Sequence, residues 1–312
     1  MTSRSSGQRP AIAKASDHPK FDAMSLPAPS SETAALITGA SAGIGREFAR
    51  LLAARGHNVV LVARRGDRLE ELAAELRDAH GVRAEAIPAD LADDPARDEL
   101  ISEIDRLGMT IDVLVNNAGF GIYRAFAGSD LDREYEQLSL LIGAVVHLNA
   151  IYLPRMVTRR SGTVINVSST SAFQPLPGNG TYAGSKAFVL FHSEALSHEM
   201  KGTGVTVTAV CPGPVRTEFQ ETSEPLFADR LPKFVWASPE RVARDGLRAA
   251  ERGKRTVIPG GFRVRAFFGP NRVLPVAISL PVAGRLMSKE VERANAAPEL
   301  QDGASEADAT TG

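Results

Sequence analysis

The sequence predicts an α/β fold, a doubly wound parallel sheet of about seven strands with helices on both faces, in a single domain. Three observations carry this. Short apolar runs alternate with segments of helical periodicity along the middle of the chain. Such alternation requires crossover connections, which make neighbouring strands parallel. The runs "VVLVA" and "DVLVNN" are apolar almost without a break, as suits strands buried on both sides.

"AALIT" (34–38) reads as the first strand, and "IGREFARLLAARG" (44–56) as a helix with a glycine stop. "NVVLVAR" (58–64) is a strand, "DRLEELAAELRDAHG" (67–81) an amphipathic helix and "VRAEAIPAD" (82–90) a third strand. A helix over 94–108, a strand over 111–119 and a long helix over 130–158 follow. The strand "GTVINVSS" (162–169) precedes a helix over about 181–202. "VTVTAVCPGP" (205–214), a helix near 239–253 and the strand "RTVIPG" (255–260) complete the pattern.

The chain has 312 residues, 43% of them apolar, enough for a sizeable core. A formal net charge of -1 offers nucleic acid no basic field. One cysteine, Cys211, excludes a disulfide framework and a cysteine-rich metal site, and fits a reducing, cytoplasmic setting. Residues 1–32 are rich in Ser, Pro and Ala and carry no apolar core segment. They read as a disordered tail rather than a signal peptide or anchor, with Met24 an alternative start. The domain is expected over 33–262, an apolar and basic extension over 263–287, and a second disordered tail over 288–312.

Ligands of such sheets sit beyond the C-terminal ends of the strands. The first of those loops is "TGASAGIG" (38–45), between a strand and a helix. Gly39 and Gly43 let backbone approach an anion, Gly45 lets the helix pack on the sheet, and the helix N-terminus attracts a pyrophosphate. The competing reading is a turn with glycines for steric reasons alone; three glycines with Ser41 favour the phosphate site. After strand two, Ala63 stands where a free ribose 2′-hydroxyl would want an acid, and Arg64 and Arg65 follow. Guanidinium groups suit a 2′-phosphate, so NADP(H) is preferred over NAD(H), unless the arginines merely solvate a loop. Asp90 either accepts from an adenine amino group or caps a turn. "NNAG" (116–119) leaves room for a flat ligand.

Tyr182 and Lys186 are four residues apart, about 6 Å along a helix and on one face of it. Ser169 lies thirteen residues earlier, before a loop rich in Pro and Gly that can fold back. An ammonium beside a phenol is expected to lower the tyrosine pKa and ready it for proton transfer. The serine can hold a substrate oxygen. Taken alone, the pair is an ordinary surface Tyr and Lys; after four loops of the right kind it reads as a catalytic set.

In "TGASAGIG", "NNAG", Ser169 with "YAGSK", and "PGPVRT", the chain resembles the short-chain dehydrogenase/reductase family from about Ala35 to Pro259. The resemblance implies a Rossmann-like fold, with Tyr182 as acid/base, Lys186 as its partner and ribose anchor, and Ser169 as ligand of the substrate oxygen. It also places Ile44, Leu91, Asn117, Ala118, Gly119, Val215 and Thr217 along the dinucleotide. It implies a homodimer or homotetramer through the two long helices. One departure stands out. The family often has an asparagine thirteen residues before the proline of "LP", where this chain has Leu141. Asn149 is about 12 Å further along the helix and a poor substitute for the proton relay it supports.

His147, His192 and His198 lack metal-ligand spacing, and packing is the simpler reading of Cys211. Phe219, Phe227, Phe234 and Trp236 lie in a segment (218–238) that forms either a substrate lid or its own docking patch. From Arg241 to Arg272 there are nine Lys or Arg against two acids, and then the uncharged "VLPVAISLPVAG". This is either weak peripheral contact with the inner face of a membrane or an extension packed over the cleft or a second subunit. Three functions remain open at this point. One is an NADP(H)-dependent carbonyl reductase or alcohol dehydrogenase of a small molecule. Another is a nucleotide-binding regulator without activity. The third is a membrane-associated reductase of a lipid-like ketone or acyl group.

Overall fold

β1 (Thr33–Thr38), β2 (Asn58–Ala63), β3 (Ala84–Pro88), β4 (Thr110–Asn116), β5 (Gly162–Val167), β6 (Val205–Val210) and β7 (Thr256–Val257) pair in parallel. They form one sheet in the order β3-β2-β1-β4-β5-β6-β7. The structure, a computed structural model, describes residues 26–218 and 231–295. Phe219, Phe227 and most of the two tails therefore lie outside the described residues.

The five central strands are almost wholly buried, the edge strands β3 and β7 only partly, and the period of two decides which residue meets which layer. Ala35 and Ile37 of β1, with Val59 and Leu61 of β2, face one layer. That layer holds α1 (Gly43–Ala53), α2 (Gly66–His80) and α7 (Pro239–Glu251). Ala34, Leu36, Val60 and Val62 face the other. It holds α3 (Asp94–Arg106) and α5 (Ala144–Arg159), with the C-terminal end of α6 (Gly180–Glu199) packed alongside. Starts and stops follow local chemistry. Asp93 caps α3 by accepting from the Ala96 N–H at 3.2 Å, Ser238 caps α7, and Gly81 ends α2 at φ +66°.

The long helix expected over 130–158 is α4 (Leu131–Leu138) joined to α5 through a π turn at Ser139–Gly143. The stretch Leu131–Arg159 is long and apolar enough to cross a bilayer. Leu148, Tyr152 and Met156 are instead buried against the sheet, so that apolarity serves the core. Two further helices, α8 (Phe262–Phe268) and α9 (Val276–Asn295), follow β7. α9 continues past Pro281 to Asn295, into the stretch 288–312 expected to be a disordered tail.

Three buried asparagines and a serine are linked across layers. Asn116 donates to Asn149 at 3.0 Å and to Asn166 at 2.8 Å, and Asn166 donates to Ser193 at 2.9 Å. Asn149 is thereby committed to tying α5 to β4. Asp112, at the buried start of β4, is different. Burial pushes its carboxyl up to about 6, against the pull of the nearby Thr33 hydroxyl and Arg159 guanidinium. The ordinary value is near 3.8, so between about pH 4 and pH 6 the folded chain keeps a proton that the unfolded chain has lost. Stability falls as pH rises through that window, by about 3 kcal/mol. Asp112→Asn is expected to unfold at higher denaturant than the parent at about pH 8 and to lose that advantage below about pH 4. Chemical denaturation at the two pH values measures it; an equal difference at both would show that the carboxyl is not the cause.

Candidate functional site

The strand order reverses between β1 and β4, and a crevice opens there beyond the C-terminal strand ends. A cavity of about 560 Å³ fills it. Every residue assigned above to the cofactor or to the reaction lines this cavity, except Gly45. Gly45 lies just beneath, where a Cβ would stand 2.3 Å from the Gly39 carbonyl oxygen and 2.6 Å from Asn117 Nδ2.

The floor is built by the glycine turn. Gly39 and Gly43 have φ of +67° and +55°, which a side chain would strain. α1 begins at Gly43 with no side-chain cap from Ala42, and Ala42, Gly43 and Ile44 of this uncapped first turn line the cleft. Thr38 locks the turn to β4: its hydroxyl accepts from the Asn117 and Ala118 N–H groups at 2.9 and 3.0 Å, and Asn117 Nδ2 donates back to the Thr38 carbonyl. Thr217 arrives from the far side, its methyl 3.0 Å from where a Gly43 Cβ would be. Flat glycine walls, uncapped N–H groups and a threonine suit a pyrophosphate, so the residues present fit a dinucleotide.

At one end of the cavity, Arg65 donates to Ser41 Oγ at 3.0 Å and to Glu218 at 2.8 Å. Arg68 donates to the same carboxylate at 2.7 Å, and the two guanidinia hold the Glu218 carboxyl below the usual range. Arg68 and Glu218 were not legible in the sequence, since only the tertiary fold brings residue 218 over β2. Arg64 turns the other way, toward Glu136 at 3.2 Å and Asp90 at 3.8 Å. Asp90 also accepts from the Ala92 N–H at 3.0 Å, the turn-capping role, while its side chain stays half-exposed at the cavity wall.

At the other end the fold joins Ser169, Tyr182 and Lys186, all buried. Ser169 follows β5, its Oγ accepts from the Ser171 N–H at 3.0 Å, and it hydrogen-bonds the Tyr182 phenol. Lys186 Nζ donates to the Val167 carbonyl at 2.9 Å and lies 5.7 Å from the Tyr182 ring centroid. The expected fall in the tyrosine pKa is corrected here. Burial pushes the phenol up to about 12, opposed only by its hydrogen bond with Ser169. The same burial pushes the Lys186 ammonium down to about 8. Desolvation outweighs the attraction expected from sequence spacing.

Leu141 is buried in the π turn, its Cδ2 2.6 Å from where a Gly119 Cβ would be, and Lys186 Nζ stands 3.7 Å from that same point. Beside the lysine there is thus an aliphatic wall, and the ammonium is held by a backbone carbonyl. Tyr123, which sequence reasoning passed over, lies with its ring centroid 6.2 Å from that of Tyr182, and its hydroxyl hydrogen-bonds Asn179. Its signal was weak, a lone tyrosine in a loop. Phe120, Leu140, Leu176, Leu231 and Phe268 give the outer part of the cavity apolar walls.

The remaining candidates have local explanations. His147 pairs with Asp98 at 3.3 Å, His192 stacks on Phe188 and His198 meets Lys201. Cys211 is buried and its thiol is pushed up to about 12, an inert state. Val235 packs with Val264 and Phe268, Phe234 meets Phe267 edge-on, and Arg216 covers Trp236. The described part of that aromatic segment therefore docks against α8.

The family model for short chain dehydrogenases matches residues 33–225. The very-long-chain 3-oxoacyl-CoA reductase of Anas platyrhynchos is 34% identical over 64% of this chain and 65% of its own length. Sulfoacetaldehyde reductase 2 of Chromohalobacter salexigens is 35% identical over 63% of this chain and 81% of its own. The chain spans just under two thirds of the length of the Anas enzyme and of its Bos taurus counterpart, 65% and 64%. Among solved structures, a short-chain dehydrogenase from Sphingobium yanoikuyae in complex with NADPH aligns with a TM-score of 0.67 and 30% identity. That alignment covers 87% of this chain and 97% of the other. A 7β-hydroxysteroid dehydrogenase aligns with a TM-score of 0.73 at 25% identity, over 81% of this chain and 96% of its own. With the glycine turn, the switch-point crevice and the sheet order in place, the match over most of the folded chain makes this protein a member of the short-chain dehydrogenase/reductase family.

Proposed function

We propose that the protein is an NADP(H)-dependent oxidoreductase that reduces the carbonyl of an apolar ketone or acyl substrate. The observation that carries this is the burial of Ser169, Tyr182 and Lys186 together at one end of the glycine-floored cleft. A nicotinamide held in this cleft would supply the hydride. Ser169 and Tyr182, already hydrogen-bonded to each other, present two hydroxyls to one carbonyl oxygen. A phenol pushed up to about 12 stays protonated at neutral pH, the state that donates a proton to the nascent alkoxide. Lys186, positively charged below about 8, stabilises the phenolate that remains. The apolar outer walls favour a hydrocarbon-bearing substrate. The names of the 3-oxoacyl-CoA reductase relatives are consistent with that class.

The preference for NADP(H) rests on Arg65 and Arg68, which already grip a carboxylate at the ribose end of the cleft, and on the lack of an acid at Ala63. NADPH-bound neighbours support it. Arg65→Ala is expected to raise KM for NADPH about tenfold or more while changing KM for NADH little. Equal effects on the two cofactors would assign Arg65 to the fold alone.

A second copy is proposed to pair on α5 and α6, where Val146, Phe188 and Phe191 are exposed. We place the enzyme in a reducing, cytoplasmic compartment. The rival reading, a nucleotide-binding regulator, draws on Leu141 beside the lysine. NADPH consumption against ketones and 3-oxoacyl thioesters of increasing chain length decides between them. Turnover rising with apolar length is expected; NADPH binding without turnover of any member would leave the regulator.

A further inference from the structure

α9 is built inside out. Its small residues Ser279 and Ala283 face inward, Ala283 packing on Leu176 and Ala183. Its large ones face solvent: Val276, Ile278 and Val282 are each more than half exposed, and Val273 just before it is 84% exposed. α8 contributes Phe262 at 78% and Phe267 at 40%, while Val264 and Phe268 anchor it from below. The segments 262–272 and 276–285 meet at 118°, so these side chains form one apolar elbow. Between Phe262 and Arg285 the ionisable residues are Arg263, Arg265, Arg272 and Arg285, with no acid. Arg272 is tied to Glu194, and the other three are exposed around the elbow.

We propose that this elbow is a docking surface for an anionic lipid bilayer, with the arginines at the headgroup phosphates and the apolar side chains at the acyl boundary. The uncharged stretch 273–284 alone is too short to span and carries two prolines. Segments 262–272 and 276–285 together have the length and apolarity of a broken span, but Val264, Phe268 and Ala283 pack on the domain, so the pair lies on the surface. Charge argues for lipid over a second copy. A two-fold pairing of this face sets arginine against arginine, whereas an anionic surface receives all of them. A separate apolar patch on α5 and α6 is available for self-pairing. The elbow also frames the cleft, since Leu176 beneath α9 and Phe268 of α8 both line the cavity. Docking therefore opens the mouth at the bilayer and deepens the functional reading: the substrate is a carbonyl compound that partitions into lipid. The docking itself does not depend on that reading.

Flotation of the full chain with vesicles of phosphatidylcholine alone, and of equal parts phosphatidylcholine and phosphatidylglycerol, tests it. The chain is expected to float with the anionic vesicles and to be released as salt rises. Arg263→Glu/Arg265→Glu and Ile278→Asp/Val282→Asp are each expected to weaken partition about tenfold or more. Thermal melts and NADPH titration show that both variants are folded, whether or not any ketone is reduced. Failure of the parent chain to float, or unchanged partition in both variants, overturns the proposal. So does conversion of a dimer to a monomer by Ile278→Asp/Val282→Asp, which would give the face to a second copy. Loss of ketone turnover alone bears on the reductase reading and leaves flotation as the judge of docking.

Discussion

Tyr182→Phe is expected to lower kcat for ketone reduction about a thousandfold while leaving NADPH affinity nearly unchanged. The substitution removes one hydroxyl. The ring keeps its packing beside Tyr123 on the buried face of α6, so the fold has no reason to change. What disappears is the proposed proton donor, the hydroxyl hydrogen-bonded to Ser169. Steady-state NADPH oxidation and fluorescence titration of NADPH separate the two effects. A variant as fast as the parent would remove Tyr182 from the chemistry. The parent's pH profile adds a second reading of the same pair. The phenol, up to about 12, stays protonated across the neutral range, but Lys186 begins to lose its charge near 8. Reduction is therefore expected to slow as pH rises through about 8, because the phenolate left after proton donation loses its neighbouring cation.

Gly45→Ala is expected to cut NADPH affinity about a hundredfold and to lower stability by about 1–3 kcal/mol. The added methyl would stand 2.3 Å from the Gly39 carbonyl oxygen and 2.6 Å from Asn117 Nδ2. Both are rigid: Gly39 is in the turn, and Asn117 is tied to the Thr38 carbonyl at 3.0 Å. Relief requires α1 to move away from the turn, which takes its uncapped N–H groups out of the proposed phosphate site. NADPH titration and thermal melting measure the two consequences. A methyl at an exposed glycine such as Gly81 has no neighbour within 4 Å, though its φ of +66° still costs backbone strain. An affinity unchanged by Gly45→Ala would mean that the turn is not where the pyrophosphate binds.

The strand and helix pattern was legible because burial on both faces forces apolar runs that no surface segment needs. The residues that gather around the cavity were legible where a motif combines chemistry with a fixed place in the fold. "TGASAGIG" and "NNAG" sit at the ends of β1 and β4, "YAGSK" opens the helix that follows β5, and all three line one cavity. Residues that act from a distance were hidden. Glu218 and Arg68 meet across 150 positions of chain. Tyr123 carries no motif, and the sequence set the extension over 263–287 apart from the tail without showing that one helix, α9, crosses that boundary to Asn295.

Sequence by itself determined the sheet, its winding and the identity of the groups at the strand ends, since periodicity and glycine placement are local properties. Tertiary structure decided their state. Enclosure raised the phenol and lowered the ammonium, where spacing alone pointed to the reverse for the tyrosine. It also decided that α9 turns Val276, Ile278 and Val282 outward. Desolvation and the choice of which helix face is covered depend on what the rest of the chain packs around a residue, and no local stretch of sequence carries that information.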